Sequence, residues 1–290
     1  MSTLTITIDE RLRLVTAVLA ASDWPEEEQK QLPHAVHSQA KLVRQFVRPF
    51  SNHPAVNGVN EALLNGVELE ELFSAALRSS WPDFTPTSEL PHLLKINEWV
   101  HSLADFASET SIMTLFWAQH TAVWQAAQAA LEKIFAGDRL LTSLEQLHDG
   151  EIETAVTLMP NLVYPALTPV VATTDDALTL LLPPPKAVGE SPPWPYDEGS
   201  GWVVATVCRQ LIPYLLTTEL AQLDRRQQHL ALHAAAAYCL TQMLDEAEAQ
   251  AYLLRTKKAH DMPELPALFA QVQAEIESGN GRPLASLFEK

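Results

Sequence analysis

Apolar positions recur at three- and four-residue spacing through most of this chain, the period of helices with one buried face. The start differs. Thr3–Ile8 alternates β-branched and apolar residues and predicts a short strand. Asp9 then caps a helix to about Ser22, with Leu12, Leu14, Val15, Val18 and Leu19 facing inward, and Trp24-Pro25 ends it. A second helical run, from about Glu26 to Phe50, is interrupted near Pro33. After the His53-Pro54 loop come short helices at Ala55–Leu64 and Val67–Arg78, and the prolines of Trp81–Pro91 make a connector. From His92 to about Phe135 the pattern is helical again, with Trp99, Leu103, Phe106, Leu115, Phe116, His120, Val123 and Trp124 on the inward face.

Asp149-Gly150 ends this all-helical half. Thr154–Met159, Leu162–Val171 and Ala177–Leu182 are rich in Val, Leu and Thr and bounded by turns, which predicts about three strands of a small sheet. Pro183–Ser200, with six prolines, is an exposed, stiffened loop. The helices Gly201–Leu216, Arg226–Lys257 and Glu264–Glu277 complete the chain. The fold class is therefore mostly α with a small β-sheet (α+β). An N-terminal helical lobe spans 1–150, and the sheet and later helices span 151–290. No long polar stretch separates them, so one compact unit is expected.

Gly201–Leu216 is apolar on almost every side. Thr206, Arg209, Gln210 and Pro213 interrupt it at i, i+3, i+4 and i+7 and so share one narrow face. A guanidinium on a buried helix is costly unless something pairs with it. That stripe is the first candidate for function.

Charge narrows the partners. Nineteen basic against thirty-six acidic residues give −17, a balance that repels nucleic acid and anionic membrane. Leu12–Ala21 is too short to span a bilayer, and MSTLTITIDE lacks a basic n-region, so a cytoplasmic protein is expected. Cys208 and Cys239, both in apolar helical contexts, fit a reducing compartment.

A strand leading by a loop into a buried helix, with a long helix after it, is the layout of gluzincin-type zinc peptidases, whose buried helix carries His-Glu-x-x-His. The segments ITIDERLRLVTAVL, SNHPAVNGVNEAL with GVELEELFSAAL, and LLLPPP with GESPPWPYDEGSGWVVATVCRQLIPYLL resemble an uncharacterised bacterial family of zincin-like proteins. This resemblance puts Arg209 at the first His, Gln210 at the catalytic Glu, Pro213 at the second His and Glu246 at the third-ligand Glu. Three of the four positions depart from the pattern. Arginine has no lone pair for zinc, glutamine cannot take a proton from water, and proline offers no ligand. Pro213 also removes a bond to the Arg209 carbonyl, so a kink is expected there.

What the resemblance implies is a pseudoenzyme: no metal, no cofactor, Arg209 paired with Glu246, and a peptide or protein bound along Ala177–Leu182 as edge strand. Two rivals stand beside it. His229 and His233 in HLALH, four apart, offer ligands for an active metal-dependent hydrolase. Leu230 occupies the place of a catalytic Glu, however, so surface or core-edge histidines are the plainer reading, as for His34 and His37 in HAVH. A structural or oligomerising helical protein is the other. His120 is expected to be a core histidine with one hydrogen bond, and Phe106, Phe116, Trp117 and Trp124 to be packing. Cys208, among valines, is a poor nucleophile.

Overall fold

A computed structural model describes residues 3–90, 98–148, 151–186, 191–279 and 284–288. It is mostly helical with a small four-stranded sheet. The chain divides into two compact units. A helix–sheet unit comprises Thr5–Ala130 and Thr157–Tyr196, and a helical unit comprises Met1–Leu4, Leu131–Val156 and Asp197–Lys290. This division differs from a boundary at Asp149-Gly150, which lies outside the described residues. Within the helix–sheet unit, β3 packs on an N-terminal helix, Leu69–Leu77.

In the helix–sheet unit, β1 (Leu4–Ile6) leads to α1 (Glu10–Ala21), whose N-cap Asp9 accepts from Arg11 N (2.9 Å) and Leu12 N (3.4 Å). Every residue from Leu12 to Ala21 is buried, not one face alone. The helix is therefore a central rod, and even Arg13 is enclosed. Its guanidinium lies 4.4 Å from the Trp117 ring and 4.5 Å from the Trp124 ring. Burial pulls its pKa down to about 10, opposed by Glu10 at 3.6 Å.

Around α1 stand α2 (Trp24–Gln31), α3 (Ser38–Val47), α4 (Pro54–Leu64), α5 (Leu69–Leu77) and α6 (Trp99–Thr110). Pro25 does not end a helix; it opens α2, where the missing N–H costs nothing. His92, the expected start of the next helix, lies outside the described residues. A π-helical turn at Met113–Trp117 precedes α7 (Ala118–Ile134). Wider winding shifts the helical phase. Leu115, expected inside, is accordingly 57% exposed, while Phe116, Trp117 and Trp124 are buried as the pattern predicts.

The sheet order is β1, β2 (Ala155–Pro160), β4 (Ala177–Leu182), β3 (Val170–Thr173). β3 and β4 are antiparallel, with Val170 opposite Leu181 and Thr173 opposite Leu178. Two expectations fail here. Residues 161–169 are a loop, not a strand, because Asn161 and Glu28 take its backbone groups. Asn161 Nδ2 donates to Pro165 O (2.9 Å), and Glu28 accepts from Ala166 N (3.0 Å) and Leu167 N (3.2 Å). Secondly, Ala177–Leu182 is an interior strand with its last five residues buried, not an edge. The true edges are occupied in part. Thr173 N on β3 donates to Ser74 Oγ of α5 (2.9 Å), and Ile6 O on β1 accepts from Gln128 Nε2 of α7 (3.1 Å).

Close packing sets one test of this unit. A Cβ on Gly58 of α4 would stand 2.7 Å from Trp99 Cδ1, and Trp99 is 1% exposed and anchored by Nε1 to Ala55 O (3.1 Å). In an open helix alanine would gain about 1 kcal/mol over glycine. Here the clash wins, and Gly58→Ala is expected to lower stability by about 2 kcal/mol in chemical denaturation. A neutral or stabilising result would show that α4 and α6 can separate freely.

The helical unit contains α8 (Arg139–Glu145), α9 (Ser200–Leu215), α10 (Thr217–Ala221), α11 (Arg225–Met243), α12 (Glu246–His260) and α13 (Leu265–Ser278). α11 is its centre: α8, α9, α12 and α13 all pack on it. The long helix expected over Arg226–Lys257 is two helices. Asp245 accepts from Glu248 N (2.9 Å) and caps a new one, folding α12 back onto α11. No described helix is long and apolar enough to cross a membrane.

Candidate functional site

α9 carries the polar stripe. Val203, Val204, Val207, Cys208, Leu211, Ile212 and Leu215 are buried, as their spacing predicts, while Trp202 is 36% exposed. Along the stripe Thr206 is buried, Arg209 and Gln210 are half-buried, and Pro213 is exposed. The α-helix continues through Pro213, and its last turn closes with Leu216 N on Ile212 O (2.8 Å).

Arg209 does not pair with Glu246. Its Nε reaches Ala205 O and its Nη2 reaches Thr206 Oγ1, both on its own helix and both at 3.4 Å. Such contacts are long and weak. Glu246 is the exposed first residue of α12, where it accepts from Gln250 Nε2 (2.7 Å) and Thr241 Oγ1 (3.4 Å). Glu248 of α12 does meet α9: a Cβ on Gly201 would stand 2.3 Å from its Oε2. Asp245 fixes where α12 starts, and packing on α11 turns residue 248, not 246, toward α9.

The charge of Arg209 bears instead on a histidine–tyrosine group. His233, buried on α11, lies across α12's Tyr252 and His260. Its Nδ1 is 2.5 Å from Tyr252 Oη, and its ring stacks on His260 with centroids 5.2 Å apart. His229, one turn earlier on α11, lies 6.4 Å away, edge to face. Burial, then the charges of Arg209, His260 and His229, push the His233 pKa down to about 4. Burial pushes Tyr252 up to about 12, so it stays a phenol and can donate to His233 Nδ1. That leaves the ring hydrogen of neutral His233 on Nε2.

His229 and His233 thus come together, but as one end of a set that includes a guanidinium. Among the described residues no group of three or more His, Cys, Asp or Glu is arranged to hold a metal ion. The other histidine motif is dispersed. His37 caps α3 through Nδ1 (Gln39 N, 3.1 Å), while His34 bonds Leu32 O (2.8 Å) and faces Glu28 at 3.6 Å. His120 is half-buried, packed on Phe116 and bonded to Gln39 (3.2 Å), as a core histidine should be. Cys208 faces Cys239, and that thiol's hydrogen bond, with burial, pushes the Cys208 pKa well up. A thiol so placed is inert.

Tyr252 and His260 were not singled out from the sequence. Compared with models of known families, with curated proteins and with solved structures, the chain matches none.

Proposed function

We propose that this chain is a non-catalytic, metallopeptidase-like protein, a pseudoenzyme of zincin type whose α9 face binds a ligand and holds no zinc. The observation that carries the reading is Arg209. A permanent cation stands where the resemblance would put a first metal ligand, and its charge opposes protonation of His233. Gln210 and Pro213 extend the same argument: neither can supply the base or the second ligand that peptide hydrolysis through zinc requires.

A peptide added as a strand along Ala177–Leu182 is no part of this proposal, since that strand is interior. Binding belongs instead to the surface where α9, α11 and α12 meet.

The reading is tested by metal analysis of protein purified without chelator, together with an assay on unstructured peptides. Substoichiometric zinc and no cleavage are expected. A stoichiometric divalent ion lost on His229→Ala or His233→Ala would overturn the reading in favour of a hydrolase with unusual ligands.

A further inference from the structure

Three histidines converge in a chain whose net charge is −17, and the charge of Arg209 bears on the most buried of them. Arg209 comes from α9, His229 and His233 from α11, and His260 from the last residue of α12. Among the described residues, none of the four makes an ion pair with a carboxylate, although ion pairs elsewhere in this unit join His148 to Glu219 and Arg226 to Glu264. The groups that bear on the charge of His233 are Arg209, His260 and His229, all of like sign. Tyr252, the remaining titratable neighbour, is a phenol and lends no negative charge. From α13, which also packs on α11, Glu277 bears on Tyr238 instead.

Like charges gathered without a counter-charge repel one another, and a bound anion relieves that repulsion. The donors suit one with several oxygens. Arg209 presents a fork whose only contacts are two long bonds to its own helix, so it is free to exchange them for a bidentate pair. His260 stands at the carbonyl end of α12. Half-buried and exposed members around a buried His233 give a site open to solvent on one side.

We propose that Arg209, His233 and His260, with His229 at the rim, form a binding site for a dianionic oxyanion of the phosphoryl type, free or esterified to a small molecule. This inference rests on the reading of the α9 face as a binding surface. It names the ligand class as anionic, where the ancestral class would have been a metal ion.

The test is calorimetric titration with inorganic phosphate, phenyl phosphate and sulfate between pH 7.5 and 5.5. Sulfate keeps its charge throughout that range, so any tightening on acidification reports the histidines. Sulfate binding is expected to tighten at least about tenfold across the range, since each pKa unit gained on binding contributes a factor of ten. Arg209→Gln and, separately, His260→Gln are each expected to weaken it about tenfold or more. His260 is exposed, so that variant keeps the test valid even if Arg209→Gln folds poorly. Phenyl phosphate binding tighter than phosphate assigns the site to esters, and equal binding assigns it to the free anion; both support it. No binding by any of the three anions at millimolar concentration overturns it, as does binding untouched by His260→Gln. Zinc content separates the two ideas. Zinc-free protein that binds no anion defeats the oxyanion site alone, while stoichiometric zinc defeats the pseudoenzyme reading.

Discussion

Glu28→Ala is expected to lower the stability of the helix–sheet unit by about 3 kcal/mol. Glu28 is 4% exposed, and its carboxylate holds Ala166 N and Leu167 N of the loop between β2 and β3. Truncation leaves two backbone donors without their acceptor and opens a void beside α2. For a unit of this size the melting midpoint should fall by about 6–12 °C.

Glu28→Gln separates hydrogen bonding from charge. Burial raises the Glu28 pKa by more than its backbone donors and His34 lower it. The folded state therefore holds the proton more tightly than the unfolded state does. Stability from this group is complete below the ordinary carboxylate pKa and declines as pH rises through the folded value. The glutamine variant should lose that slope and cost less than the alanine variant. Denaturant titrations at stepped pH read both effects, and an alanine variant as stable as wild type would refute the role given to Glu28.

Acid should destabilise the helical unit through His233, by about 3 kcal/mol between pH 6.5 and 4. The folded pKa is about 4 against an ordinary 6.5, so the unfolded chain binds more protons in this window. Stability is therefore present above about 6.5 and is lost as pH falls toward 4. His233→Gln removes the titrating group and should flatten that slope. At neutral pH it should cost about 1 kcal/mol for the bond with Tyr252. Circular dichroism melts of both proteins across the window check this. An unchanged slope in the variant would show that another group is responsible.

Local physics was legible along the chain. Asp9 followed by a buried apolar run could only be a capped helix, because the cap satisfies donors within three residues. The break between α11 and α12 was legible too. Asp245-Glu246-Ala247-Glu248 is a helix-start signature, and reading through it as one long helix hid Tyr252 and His260 from the site. The interior place of β4 was not legible, since an apolar run looks the same at an edge as between neighbours once both faces are covered.

The sequence by itself determined the α+β class, the buried apolar face of α9 and the placement of most helices. Each of these depends on residue type and on spacing within one element. Only the tertiary structure decided that Arg209 turns to its own helix and not to Glu246, that Cys208 meets Cys239, and that Glu28 holds a loop more than a hundred residues away. The physical reason is the turn at Leu244–Asp245 and others like it. A rotation of α12 by two residues exchanges Glu246 for Glu248 at the contact with α9, and only packing against α11 fixes that rotation.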